Sequence, residues 1–514
     1  MVVRVLLLLL LALPASVRPL AAQGQPARAS LDEARKLASA GRLEAAEAMV
    51  HVLLAKDGTS ADALMLLGSL RETRGDLSEA LVAYEGAVRA APRSALAHDK
   101  LGFVQGRLDR VPEAIASFAR AVELDPALFD AQYHLGATRW WTRDLDGAIG
   151  PLREAVRLNP AHAEARYYLG LTLRQLGRVD EAVTELRHAV QQAPSHGVAR
   201  LQLGVALQAT GDLDNALVHL RRALALAPSS ADALNSLGLA LMHRGEGAEA
   251  METFRTLVQR HPDYPSGRLN LAAAMMHQGE LASAVDVLRQ LTADEPRNAE
   301  AFYNLGVALK QQDAFEDAEA ALRRAVDLDR ALGDAPFTLG VLLWQTGRAD
   351  EAAAAFREAL ARSPDSADAH FMLGTVLRQQ GHTEESIEAF RAAIRARPDL
   401  TEAHQSLAQI LRQQGNARGA LHAQAEADRL NKLKADAQAA AFALSVGEQK
   451  LKSGDRTGAI AQFRQAISLA PGNPRAHYAL AAALREAGEQ AEADRHTELA
   501  RKLADGLRQR DDVP

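Results

Sequence analysis

The sequence predicts an all-α solenoid built from about fourteen helix–turn–helix repeats. Three observations carry that reading. First, Leu-Gly recurs at Leu67-Gly68, Leu101-Gly102, Leu135-Gly136, Leu169-Gly170, Leu203-Gly204, Leu237-Gly238, Leu305-Gly306, Leu339-Gly340 and Leu373-Gly374, in steps of 34 or its multiples. Second, Ala and Pro repeat in the same register: Ala80, Ala114, Ala148 and Ala182 in one column, Pro92, Pro126, Pro160 and Pro194 in another. Third, the chain is 48% hydrophobic but only 4% aromatic. Small apolar residues suit many close helix–helix contacts better than packed strands. At 514 residues the chain is also too long for one globular core.

The elements follow in order. Met1 to Arg4 form a positive n-region, Val5–Leu13 an apolar run of nine, and small residues follow Pro14 as far as Ala22. This predicts a secretory signal peptide over 1–22, cut before a short linker at 23–26. Without Cys there is no lipoprotein anchor, no disulfide and no Cys-ligated metal. The expected location is periplasmic or secreted, with no transmembrane span once the signal is removed, because no later apolar stretch is long enough. Net charge is −6, the wrong sign for a general nucleic-acid binder, so no nucleic-acid partner is expected.

Twelve contiguous repeats are expected over 27–434. In the frame that starts at Ala61, Gly68, Ala80, Ala87 and Pro92 stand at positions 8, 20, 27 and 32. A five-residue insertion at 435–439 shifts the frame, and two further repeats follow at 440–473 and 474–507. These positions match the consensus of the tetratricopeptide repeat (TPR) family, which the chain resembles over nearly its whole length beyond residue 26. The resemblance implies a right-handed superhelical α-solenoid of an exported bacterial type. The residues agree independently. In 163–196 the apolar stripe Leu169, Gly170 and Leu173 breaks at Gly177, and Ala182, Leu186 and Ala189 form a second stripe at helical spacing. Gly at position 15 (Gly75, Gly177, Gly211) suits a left-handed turn between the two helices, and Pro at 32 stops the second. Arg330 replaces that Pro in the ninth repeat, which predicts a longer helix there. With no Pro between Gly419 and Ser453, a long helix is expected to carry the insertion. Residues 508–514 read as a frayed tail.

No phosphate-cradling Gly-rich loop, His-Glu-x-x-His or Gly-x-Ser-x-Gly is present, and the repeats leave no length for a catalytic domain. The chain is expected not to be an enzyme, with no cofactor, no metal and no catalytic residues. His243 and His277 stand at position 13 of adjacent repeats without a third ligand, and the segments around them look duplicated.

In the TPR family, ligands lie along the first helices of the repeats, at positions 2, 5, 9, 12 and 13. Carried onto this chain, those positions hold Tyr133, Trp140, Trp141 and Tyr167 in repeats four and five, and Tyr303, Phe337, Trp344 and Phe371 in repeats nine to eleven. The aromatics at position 5 either meet a ligand or fill gaps between first helices. The three Trp favour binding. A second row comprises Arg174, Gln175, Lys310, Gln311, Gln345, Arg378, Gln379, Arg412 and Gln413. It could grip an extended peptide, bond sugar hydroxyls, or be a solvated helix end favoured by the helix dipole. The Lys and Asn of the family's carboxylate clamp are missing from positions 5 and 9. The expected function is a protein-interaction scaffold or adaptor in the bacterial cell envelope, binding a partner protein or extended peptide in its groove. The alternative is a carbohydrate-binding scaffold for polysaccharide export, or a partner of a glycosyltransferase.

Overall fold

The computed structural model describes residues 25–511, with side chains from 30 to 506. The expected signal peptide at 1–22 lies outside the described residues, as do residues 512–514. Among the described residues there are 27 helices and no strand. They form two compact blocks, one ending at Gln278 and one beginning at Gly279. The division falls inside repeat eight, whose first helix is short (Gly267–His277) and is entered through Ser266 at φ 62°.

Within each block the same local chemistry recurs. Many first helices start at a side-chain cap: the Ser60, Ser94, Ser230 and Ser366 hydroxyls and the Asn298 amide oxygen each accept a backbone N–H three residues on. The turn to the second helix passes through position 15 with positive φ. Glycine fills that position at Gly75, Gly177, Gly211 and Gly245, but Asp109 (φ 62°), Arg143 (φ 65°) and Asp313 (φ 58°) adopt the same strained geometry. At position 8, a methyl group placed on Gly68 would stand 2.6 Å from the ring of the buried Tyr84, and one on Gly136 would stand 2.5 Å from Leu152. Glycine there is what lets the two helices of a repeat close on a large side chain.

Position 4 has a specific task. The Nε2 atoms of His98, His370, His404 and His477 lie 2.9–3.1 Å from the carbonyl of the Pro six residues earlier. Arg166 and Arg200 donate to Pro160 and Pro194 in the same way. These six repeats thus satisfy the carbonyl of the proline that follows the preceding helix. On the second helices an exposed ladder links neighbours 28 residues apart, such as Arg153–Glu181 and Arg221–Glu249 in the first block and Arg323–Glu351 and Arg357–Glu385 in the second. Exposed pairs of this kind contribute little individually.

Several expectations need revision. The helix before Arg330 does not run on: Phe315–Leu328 is 14 residues, like its neighbours. Its end is held without proline. The Asp329 carboxylate accepts the Ala331 N–H at 2.7 Å, and the Arg362 guanidinium donates to the Val326, Asp329 and Leu332 carbonyls at 3.2–3.4 Å. Pro151 lies inside the helix Leu145–Leu158 and cannot donate to the Gly147 carbonyl, which instead accepts from Arg139 at 2.9 Å. One helix, Ala417–Lys452, spans the insertion, and residues 428–439 within it bury no side chain. The last helix reaches Asp511, past the point at which the tail was expected to fray, since no proline follows Gly506 before Pro514.

Candidate ligand-binding surface

First helices of successive repeats lie side by side, and their facing side chains meet at a spacing of 35 residues. Asp99–His134, Gln208–His243 and Asn235–Asn270 are all such pairs in the first block. This spacing shows which candidates touch.

In the first block the aromatic candidates belong to one continuous ring cluster across repeats three to five. His134 stands between Phe103 and Phe118, 5.4 and 5.2 Å away. Tyr133 stacks on Phe129 and approaches His162 at 5.1 Å. Tyr168 links Tyr133, Trp140 and Tyr167 at 6.1, 5.4 and 5.3 Å. Trp141 meets Trp140 edge-on at 5.1 Å, and Tyr167 meets His196 at 5.0 Å. Tyr133, expected to line the groove, is only 3% exposed and packs the joint between repeats. Burial holds the hydroxyls of Tyr133, Tyr167 and Tyr168 above their usual range, so they remain protonated donors. Trp141 stands out at 39% exposed. On its helix and on the next first helix, three polar atoms are buried without a partner: Trp140 Nε1, Arg174 Nε and Gln175 Oε1. Burial also pulls the Arg174 guanidinium below its usual value, only partly offset by Tyr167.

The cluster includes residues that sequence reasoning passed over. Asp99 is fully buried, with its Oδ1 2.8 Å from His134 Nδ1. A charged residue at position 5, where repeats four and five carry Tyr, was the available signal. His162 and His196 cap the next first helices, each through Nδ1 accepting a backbone N–H.

In the second block the candidates are mostly engaged. Trp344 Nε1 donates to Gln379 Oε1 at 3.1 Å, and Arg378 Nη1 donates to Gln409 Oε1 at 3.1 Å. The Tyr303 hydroxyl is 3.5 Å from Thr338 Oγ1. Phe337 and Phe371 pack on Phe356 and Phe390 of their own repeats, each at 5.8 Å. Gln311, Gln345, Arg412 and Gln413 are exposed, and Lys310 is half-buried. His243, weighed above with His277 as a metal ligand, has its Nδ1 3.1 Å from Gln208 Nε2. Among the described residues there is no cluster of three or more metal-ligating side chains. No described helix is long and apolar enough to cross a membrane.

A tetratricopeptide repeat model matches residues 31–95, 138–196, 201–265 and 337–401. A second matches 241–301 and 275–337, and a TPR repeat model matches 447–488. The chain belongs to the tetratricopeptide repeat family. This TPR chain has no match among curated proteins. Solved structures similar to it include YrrB, described as a TPR protein with an unusual peptide-binding site, at 25% identity over 36% of this chain and 95% of that one, TM-score 0.34. MamA is 29% identical over 31% of this chain and 94% of its own, TM-score 0.30. The pilF protein of Pseudomonas aeruginosa is 19% identical over 40% of this chain and 94% of its own, TM-score 0.37. The repeat architecture of this TPR chain is that of a protein-interaction scaffold.

Proposed function

We propose that this TPR protein is a non-enzymatic scaffold. It holds a partner protein by an extended segment lying along the first helices of repeats four and five. The observation that carries the reading is the group of buried, unpartnered atoms on adjacent first helices, Trp140 Nε1, Arg174 Nε and Gln175 Oε1, on the surface where the Trp141 ring is exposed beside Trp140. A buried polar group without a partner costs about 1–3 kcal/mol. A ligand that supplies the missing bonds recovers that cost and covers an aromatic anchor of the kind that dominates binding energy. The pattern of residues 1–22 supports export, which would place the scaffold in a bacterial cell envelope.

Affinity capture from the native envelope tests this, with a photo-cross-linking amino acid at position 141 and, as control, at Val218, which is 63% exposed on a second helix. One partner protein cross-linked from 141 and not from 218 supports the reading. Equal capture from both positions contradicts it. Retention of glycan in place of protein would favour the carbohydrate-binding alternative, in which Trp141 stacks on a sugar ring.

A further inference from the structure

The same three residue types occur twice at the same three positions. Trp140 is followed 34 and 35 residues later by Arg174 and Gln175, and Trp344 by Arg378 and Gln379. Each set is Trp at position 12 of one repeat, then Arg-Gln at positions 12 and 13 of the next.

The two copies differ in state. Around Trp344 every group is satisfied: the indole N–H goes to Gln379, and the Arg378 guanidinium goes to Gln409 and lies 5.9 Å from the Phe390 ring. Around Trp140 none of the corresponding bonds is made, and the indole N–H, the Arg174 Nε and the Gln175 carbonyl are all buried and unpartnered. Sequence accounts for part of the difference. The residue that accepts from Arg378 is Gln409, at position 9 of the next repeat; the residue at that position after Arg174 is Val205, which has no acceptor. Arg174 forms no ion pair among the described residues, although most arginines of this chain do. The one acid of its own helix, Glu164, has its Oε1 2.9 Å from His196 Nε2.

We propose that the open copy, Trp140–Arg174–Gln175, is a subsite that reads a carboxylate side chain of an acidic extended peptide. The assignment rests on the scaffold reading above and specifies its ligand. The missing partners define the chemistry. An indole N–H and a guanidinium Nε both require acceptors, and a guanidinium approached on its Nε edge fits a carboxylate with two parallel bonds. The Gln175 carbonyl requires a donor, which a peptide backbone N–H beside an Asp or Glu supplies. Arg174 is half-buried and no carboxylate pairs with it among the described residues, so an anion is favoured over a neutral amide. The sealed copy at Trp344 presents no free valence of this kind and serves as an internal control.

The test is selection of random twelve-residue peptides displayed on phage against the immobilised full chain. Wild type, R174Q, R174K, R378Q and the double variant W140A/W141A are compared. Wild type is expected to enrich Asp or Glu at one position of the selected peptides. R174Q loses that enrichment, R174K weakens it because an ammonium cannot make the two parallel bonds, and R378Q keeps it. A selected peptide resynthesised with Glu changed to Gln then binds at least roughly tenfold more weakly by fluorescence anisotropy, as expected for loss of a charge-assisted pair. Unchanged acidic enrichment in R174Q, or a charge-neutral pool that still requires Trp140 and Trp141, overturns the carboxylate assignment and leaves the scaffold reading standing. A wild-type pool that binds W140A/W141A equally well overturns both. Binding of oligogalacturonate through Arg174, with no peptide enriched, assigns the anion to a polysaccharide and overturns the peptide proposal.

Discussion

Gly238→Ala probes the joint on which every repeat depends. A Cβ at this position would stand 2.5 Å from both Cε1 and Cζ of Phe254. Carbon atoms in contact prefer about 3.5–4.0 Å, so the ring must retreat by at least 1 Å. Phe254 is fully buried and cannot retreat without moving its helix, Gly247–Arg260. Overpacking of this kind costs about 1–3 kcal/mol. The repeat array contains its own compensation: Ala34 stands at position 8 of repeat one, opposite Val50 at position 24, and both are fully buried. The double variant G238A/F254V reproduces that combination. F254V alone leaves a cavity and costs about 2 kcal/mol or more. The double variant is expected to cost at least about 1 kcal/mol less than the sum of the two single changes, because the methyl group enters the space that the ring vacates. Solenoid stability is a sum of neighbour terms, so the loss should be local. Hydrogen exchange read by mass spectrometry should show it in the helices Ala231–Arg244 and Gly247–Arg260. A G238A change within about 0.5 kcal/mol of wild type, or additivity of the two changes, would refute the reasoning.

Three further outcomes follow from single sites. Arg143 occupies a left-handed turn at φ 65°, so Arg143→Gly is expected to stabilise the chain by about 1 kcal/mol, read as a rise in denaturation midpoint; a fall would show that the Arg side chain matters more than the backbone. Burial holds His162 below its ordinary value of 6.5, as it does His219 and His496. The unfolded chain therefore binds more protons in that range, and stability present above pH 6.5 is lost as pH falls through the lower folded values. His162→Asn keeps a capping acceptor for the Ala165 N–H but no titrating group, so it should flatten the dependence of thermal midpoint on pH between neutral and mildly acid solution. Arg362→Met removes the donor to three carbonyls that stands in for the missing proline at 330; it is expected to cost about 1–3 kcal/mol and to raise exchange in Phe315–Leu328, and normal protection there would contradict the capping role.

The fold was legible because its packing joints are copied. Gly68, Ala80, Ala87 and Pro92 each perform one steric task, and the same task recurs every 34 residues. Binding residues have no such redundancy. Position alone put Tyr133 beside Trp141, yet Phe129, His162 and Tyr168 enclose the Tyr133 ring while Trp141 stays exposed. The Asp99–His134 pair escaped notice because its partners are 35 residues apart, and a 34-residue alignment places them in different columns. Arg330 misled for a related reason. The proline is one way to stop that helix, and the structure stops it by Asp329 and by Arg362 from the next repeat. The contrast between Trp140 and Trp344 was legible only in part: Val205 or Gln409 decides whether the arginine finds an acceptor, whereas the state of the indole N–H shows only in the structure.

The central claim is that repeats four and five hold the partner through Trp140 and Trp141. The most direct measurement is titration calorimetry of the captured partner against the full wild-type chain and W140A/W141A, with circular dichroism confirming equal helicity. Two anchoring Trp side chains are each worth about 2 kcal/mol or more, so affinity is expected to fall at least about a hundredfold. Wild-type affinity in the double variant would contradict the claim.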